Sequence, residues 1–172
     1  QILLWQASRC MKELASAIGR ECLCAPDTDK LKENIYKYYF RQELGGFIDG
    51  YQSGKNMINR QQNVLALLYG FTARQESELI MEKVLCNPDV PPISTPYFEF
   101  YELMAMCEYG NIGYAKEMLQ NYWGGMIKLG ATSIWEAFDP SQIGAEHYGM
   151  YGHSFGKSLC HAWGSRPIYI LG

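Results

Sequence analysis

The stretch from Thr95 to Leu129 constrains this chain more than any other. Thr95-Pro96 pairs an N-capping residue with proline at the first helical position, where the missing amide hydrogen has no intrahelical partner to lose. Behind it runs Tyr97-Phe-Glu-Phe-Tyr-Glu-Leu-Met-Ala-Met-Cys-Glu-Tyr109, apolar on almost every side and interrupted only by Glu99, Glu102 and Glu108. A helix hydrophobic all round must be covered all round. Gly110 ends it, Asn111 caps a successor that reaches Leu129, and Gly130 stops that one. The successor is amphipathic, with Lys116, Glu117, Gln120 and Lys128 on its wet side. An enclosed helix joined by a tight turn to a half-exposed one predicts two concentric layers, an inner and an outer ring of α-hairpins. A four-helix bundle would instead give all its helices similar one-sided stripes.

The rest of the chain also reads as helical. Leu4, Ala7, Met11, Leu14, Ala15 and Ile18 recur at three- and four-residue steps until Gly19. Asp27-Thr28-Asp29 caps a helix that carries Leu31, Ile35, Tyr38, Tyr39 and Gln42 toward Gly45-Gly46. A glycine-punctuated loop follows over Phe47–Gly54. Asn63–Tyr69 predicts a short buried helix closed by Gly70, and Thr72–Gln75 has capping-box spacing for a helix to Leu85. Asn87–Pro96 holds four prolines and is a loop. Ala131–Phe155 is irregular and rich in Gly, His and aromatics; a loop that long in a compact domain is usually functional. A last helix is expected over Gly156–Trp163, before a tail with Arg166-Pro167.

Composition narrows the function classes. A chain of 172 residues with 48% hydrophobic and 19% charged residues is neither disordered nor a coiled coil. Apolar runs are too short to span a membrane. Fifteen basic against 18 acidic residues, without a basic stripe, argue against nucleic acid as a partner. Six cysteines show no CxxC and no regular framework, so buried free thiols are expected over disulfides. The start at Gln1, with no initiator Met, suggests a piece of something longer.

The chemistry concentrates after Gly130. Trp135-Glu136, Asp139, Glu146, His147, Tyr148, Tyr151 and His153 lie in the long loop, with Cys160, His161 and Trp163 beyond it. A carboxylate beside an indole suits acid–base work, because apolar neighbours exclude water and tune its pKa. On the residues alone Glu136 reads first as a capped or salt-bridged structural group and second as an acid–base group. His147, His153 and His161 with Cys160 match no zinc spacing, so no metal is expected. No phosphate loop or nucleophile elbow occurs, and no cofactor is expected. Gly45-Gly46 and Gly124-Gly125 read as punctuation, and Tyr148 and Tyr151 read first as half-buried loop filler, with the mouth of a pocket as the alternative. Glu99 and Glu102 read either as facing a central cavity or as paired with Arg or Lys. Thr95 and Tyr97, at the same helix N-terminus, are candidates to face a site.

Three blocks carry a resemblance: Trp123-Gly-Gly-Met126, Gly130-Ala-Thr-Ser-Ile-Trp-Glu136 and Ser158-Leu-Cys-His-Ala-Trp163. Together they resemble the C-terminal part of the catalytic domain of α-L-rhamnosidases, glycoside hydrolase family 78. Tyr36–Phe40, Asn63–Gly70 and Thr95–Gly110 are similar to helices of that domain, more loosely before Pro91. The resemblance implies an all-α fold, a partial (α/α)6 toroid of about three hairpins from its latter half, with 1–172 as one C-terminal portion. It implies hydrolysis of terminal α-L-rhamnosides with inversion. Glu136 matches the general base, His161 the histidine that hydrogen-bonds rhamnose, and Trp135 and Trp163 take wall or supporting roles. The family's general acid sits in an Asp/Arg-rich motif not found here; Glu13, Glu21, Glu33 and Glu43 stand in ordinary helical contexts. Implied partners are a rhamnose-containing glycan or glycoside, and the rest of a parent chain or a second copy covering open flanks. A periplasmic or extracellular location follows from the resemblance only. A non-catalytic sugar-binding or assembly module, and an (α/α)6 glycosidase for another sugar, stay open.

Overall fold

The computed structural model describes residues 1–52 and 54–171, which form two units, Gln1–Pro91 and Pro92–Gly172. The all-α expectation holds, with one small hairpin added. The first unit contains α1 (Ile2–Ala17), α2 (Thr28–Tyr39), β1 (Phe40–Arg41), β2 (Gly46–Phe47), α3 (Arg60–Leu68) and α4 (Arg74–Ile80). The second contains α5 (Pro96–Glu108), α6 (Ile112–Met118), α7 (Gly124–Lys128) and α8 (Ile168–Leu171). Among the described residues no helix is long and apolar enough to cross a membrane.

In the first unit α1 packs against α2 and α3. The Asp27 carboxylate caps α2 by accepting from the amides of Asp29 (3.0 Å) and Lys30 (3.1 Å). This helix ends at Tyr39, short of the expected Gly45-Gly46. The chain turns extended there, and Phe40 and Arg41 pair with Phe47 and Gly46 in an antiparallel hairpin. Buried Asn63 explains why the hairpin docks. Its side chain accepts from the Phe47 amide (2.8 Å) and donates to the Phe47 carbonyl (3.0 Å), as a neighbouring strand would. Gly46 has no room for a side chain, since a Cβ would come within 2.6 Å of Asn63 Oδ1. An aromatic cluster fills the core behind it: Tyr36 stacks on Phe71 at 5.5 Å, and the rings of Phe40 and Trp5 meet Phe47 and Phe71 edge-on.

The stripe on α1 is turned the other way from the expectation. Ile2, Trp5 and Ser8 face inward, while Leu4, Met11, Leu14 and Ile18 are exposed. The start of α4 also differs from the expected Thr72–Gln75 box. Glu76 Oε2 accepts from the Ala73 amide at 2.7 Å, and Thr72 instead pairs its hydroxyl with that of Ser77. From α4 the helix continues to Leu85 as expected, but over Met81–Leu85 as a wider π turn.

In the second unit α5 packs against α6, and only Tyr97 and Glu108 of α5 are exposed, so the enclosed helix is enclosed. Glu99 and Glu102 are buried, and Glu102 Oε1 accepts from the Tyr114 hydroxyl at 3.0 Å. The helix after Asn111 reaches Lys128 through a π turn over Leu119–Trp123. Gly125 lies inside that helix rather than breaking it. A Cβ there would fall 2.8 Å from the Phe138 ring, so the missing side chain is the seat of that ring. The six cysteines carry free thiols, but they are half-buried or exposed rather than buried.

Asn63→Leu removes the partner of the buried Phe47 amide, while the Phe47 carbonyl keeps Gln62. A buried donor left without a partner costs about 1–3 kcal/mol, and loss of the remaining bonds adds to it. The expected loss on chemical denaturation is therefore roughly 2–3 kcal/mol, against a much smaller loss for the exposed Gln52→Leu.

Candidate active site

Glu136 is positioned by backbone pairing. Residues 134–136 run antiparallel beside residues 158–161. The Glu136 amide donates to the Ser158 carbonyl and the His161 amide to the Ile134 carbonyl, both at 2.8 Å. The Ser133 hydroxyl donates to the Leu159 carbonyl. This pairing replaces the helix expected over Gly156–Trp163: the Ser158 and His161 amides go to Glu136 Oε2 and the Ile134 carbonyl instead of to carbonyls one helical turn back. Only a single short helical turn, Ala162–Gly164, remains.

The long loop rests on aromatic packing. The Phe138 amide donates to the Ser94 carbonyl (2.9 Å), which also accepts from the Tyr122 hydroxyl (2.6 Å). Burial pushes the Tyr122 phenol well above its ordinary range. His147 is buried and stacks on Phe138 at 5.6 Å. At the far end Trp123 Nε1 donates to the Gly164 carbonyl at 3.0 Å. Gly164 is wedged so closely that a Cβ would lie 2.5 Å from Ile134 Cγ2 and 2.8 Å from Pro96 Cβ. That wedge ties the start of α5, the Glu136 segment and the His161 segment together.

One cleft of about 330 Å³ results, lined by Thr95, Tyr97, Glu136, Met150, Tyr151, His161, Trp163 and Arg166. Five of the six residues singled out in the sequence meet on it. The sixth, Trp135, is 3% exposed and lies behind Glu136, its ring 5.8 Å from Tyr148 and 6.3 Å from Phe138. Glu99 and Glu102 do not line the cleft. Among the described residues no group of His, Cys, Asp and Glu is arranged to hold a metal ion.

Both carboxylate oxygens of Glu136 are engaged. Oε1 accepts from the Tyr151 hydroxyl at 2.8 Å and Oε2 from the Ser158 amide at 3.1 Å. The Tyr151 hydrogen bond above all, then the Ser158 amide, with His161 and Lys157 adding positive charge, holds the carboxyl below its usual range. Glu136 is therefore ionised at neutral pH. Lys157 is itself buried, and that burial lowers its pKa against the opposing pull of Asp139 and Glu136.

Of the two readings of Tyr151, the structure has the residue at the cleft and not the half-buried filler. It is exposed at the tip of a two-residue turn, with φ +54° at Tyr151 and +78° at Gly152. Met150 and His153 exchange both backbone hydrogen bonds at 3.0 Å across it. Positive φ at both central positions is the pattern of a type I′ turn, where Asn or Gly is usual and a bulky residue is strained. Arg166, read in the sequence as tail, rests its guanidinium over the Tyr97 ring at 5.3 Å and donates to the Tyr101 hydroxyl at 2.7 Å. Gly152 alone is the local turn signal there. Nothing local tied Arg166 to a residue 65 positions earlier.

No protein-family model matches the chain, and no curated protein matches it significantly. Solved structures do. A rhamnosidase from Klebsiella oxytoca with rhamnose bound is similar over 84% of this chain, with 25% sequence identity and a TM-score of 0.69. A family 78 rhamnosidase of Bacillus sp. GL1 is similar over 99% of this chain, with 24% identity and a TM-score of 0.79. The chain spans 27% and 18% of the lengths of those two proteins. The likeness bears out the expected rhamnosidase-like portion and its partial six-hairpin helical architecture.

Gly164→Ala drives a methyl into Ile134 and Pro96. Overpacking of this kind costs about 1–3 kcal/mol. The expected result is a lower denaturation midpoint together with faster amide exchange at Glu136 and His161, whose bonds the wedge protects.

Proposed function

We propose that this chain forms part of a glycosidase that removes terminal α-L-rhamnose with inversion, Glu136 acting as the general base. The observation that carries this reading is an ionised carboxylate, held at both oxygens, facing a cleft walled by Tyr97, His161 and Trp163. The rhamnose bound to the similar Klebsiella enzyme supports the choice of sugar.

In this mechanism Glu136 takes a proton from a water molecule. The water oxygen attacks the anomeric carbon from the face opposite the leaving group, the glycosidic bond breaks, and a general acid protonates the departing oxygen. Such a pair of carboxyl groups stands about 6.5–9.5 Å apart. Among the residues lining the cleft Glu136 is the single carboxylate, so the acid is assigned to a part of the protein outside these 172 residues. His161 hydrogen-bonds the sugar hydroxyls. Trp163, 63% exposed, and Tyr97 offer ring faces to its apolar side, with Thr95 at the edge and Trp135 backing the base.

In the full-length protein, Glu136→Gln is expected to lower turnover of an aryl α-L-rhamnoside by at least about a thousandfold, since the water then lacks its base, while rhamnose still binds. Near-normal turnover by this variant overturns the assignment. Turnover restricted to a different aryl glycoside in a panel keeps Glu136 and overturns rhamnose.

The 172-residue chain prepared alone is expected to show no hydrolysis. It is also expected to self-associate in sedimentation, because Leu4 and Leu14 lie bare on α1 and Ile18 just past its end. Hydrolysis by the isolated chain would place the acid within it.

A further inference from the structure

We infer that Tyr151 is a positioning residue for the base: its hydroxyl, delivered by the strained turn, orients Glu136 and sets the acid limit of the working pH range. This rests on the reading of Glu136 given above.

The geometry is economical. Residues 148–157 fold back on themselves, Met150 pairing with His153 and the Lys157 amide donating to the Tyr148 carbonyl at 3.1 Å. Gly156 permits this closure, as a Cβ there would collide with the Met150 carbonyl. The returning strand leads directly into Ser158, whose amide holds the second oxygen of Glu136. One hairpin therefore supplies both donors to the carboxylate, one from its tip and one from its base. A carboxylate held at both oxygens cannot rotate, and each oxygen keeps a second lone pair with which to meet a water.

The tip residue is the costly part. Tyrosine at φ +54° gains nothing for the turn itself, where glycine or asparagine is more stable. The residue is 72% exposed, so burial does not account for it either. What Tyr151 adds is the hydroxyl on Oε1. Strain of this kind persists where surrounding structure holds it, and it clusters at functional sites.

The sign of the pH effect follows. A donor to the ionised carboxylate favours the charged form, so removing it raises the pH at which Glu136 loses its proton. Besides Tyr151, the titratable groups facing Glu136 are His161 and Lys157, and Arg166 lines the same cleft; all three remain in the variant. Their attraction keeps the carboxyl from returning fully to its ordinary value.

The test compares Tyr151→Phe, Tyr151→Gly and Glu136→Gln in the full-length protein, using kcat/KM profiles against pH on an aryl α-L-rhamnoside and thermal melting. In Tyr151→Phe the acid limb is expected to move up by about half a pH unit or more, so that activity below the limb falls several-fold, with melting unchanged. Tyr151→Gly is expected to melt higher, having shed the turn strain, yet to show the same or a larger shift of the limb. Should Tyr151→Phe fail to fold, the glycine variant carries the comparison. An inactive Glu136→Gln beside an unmoved limb in Tyr151→Phe overturns this inference and leaves Glu136 as the base. A uniform loss at every pH with the limb unmoved marks a binding role for the hydroxyl and likewise overturns it. An active Glu136→Gln overturns the base assignment and this inference with it.

Discussion

Two short segments, residues 134–136 and 158–161, hold each other through their backbones, and the cleft is built on that exchange. Glu136 receives its position from the Ser158 carbonyl and its charge state partly from the Ser158 amide. His161, three residues on, is placed by the same pairing. Side chains that are far apart in sequence thus face one space without regular secondary structure beneath them. Around the pairing the rest is buttress: Trp135 and His147 against Phe138, Phe138 against Gly125, and Gly164 against Ile134 and Pro96.

The helices that carry this arrangement were legible because their signals are local. Pro96 at the first position and Gly110 past the last bound α5, and its lack of a polar side foretold enclosure. The first helix shows where such reading stops. Spacing selected Leu4, Met11, Leu14 and Ile18, yet the buried face belongs to Trp5, whose ring meets Phe71 at 4.8 Å. Two apolar stripes were available on one helix, and only the partner decides which is used.

The segment after Gly156 failed for a related reason. Ser158–Trp163 has no residue forbidden in a helix; its amides are claimed by Ile134 and Glu136, more than 20 positions away. The α2 terminus was lost in the same way, when Asn63 took over the backbone of Phe47. In the cleft, Glu136, His161 and Trp163 were found through motif blocks and not through periodicity. Tyr151 is readable in the sequence as a residue for the mouth of a pocket, but its bond to Glu136 is not, because that bond depends on a backbone angle that its residue type argues against.

The wide turn at Leu119–Trp123 makes chain length itself a structural variable. A π turn holds more residues than a regular one, and each α-helical residue advances the helix by about 100°. Tyr122 and Trp123 reach partners 28 and 41 positions away in opposite chain directions, one toward Ser94 and one toward Gly164. Both bonds depend on the rotational phase created at that point. Removing one residue would leave a more regular helix with every side chain type intact, turned so that neither ring meets its carbonyl. The phase of this helix is written in residue count, and composition alone does not record it.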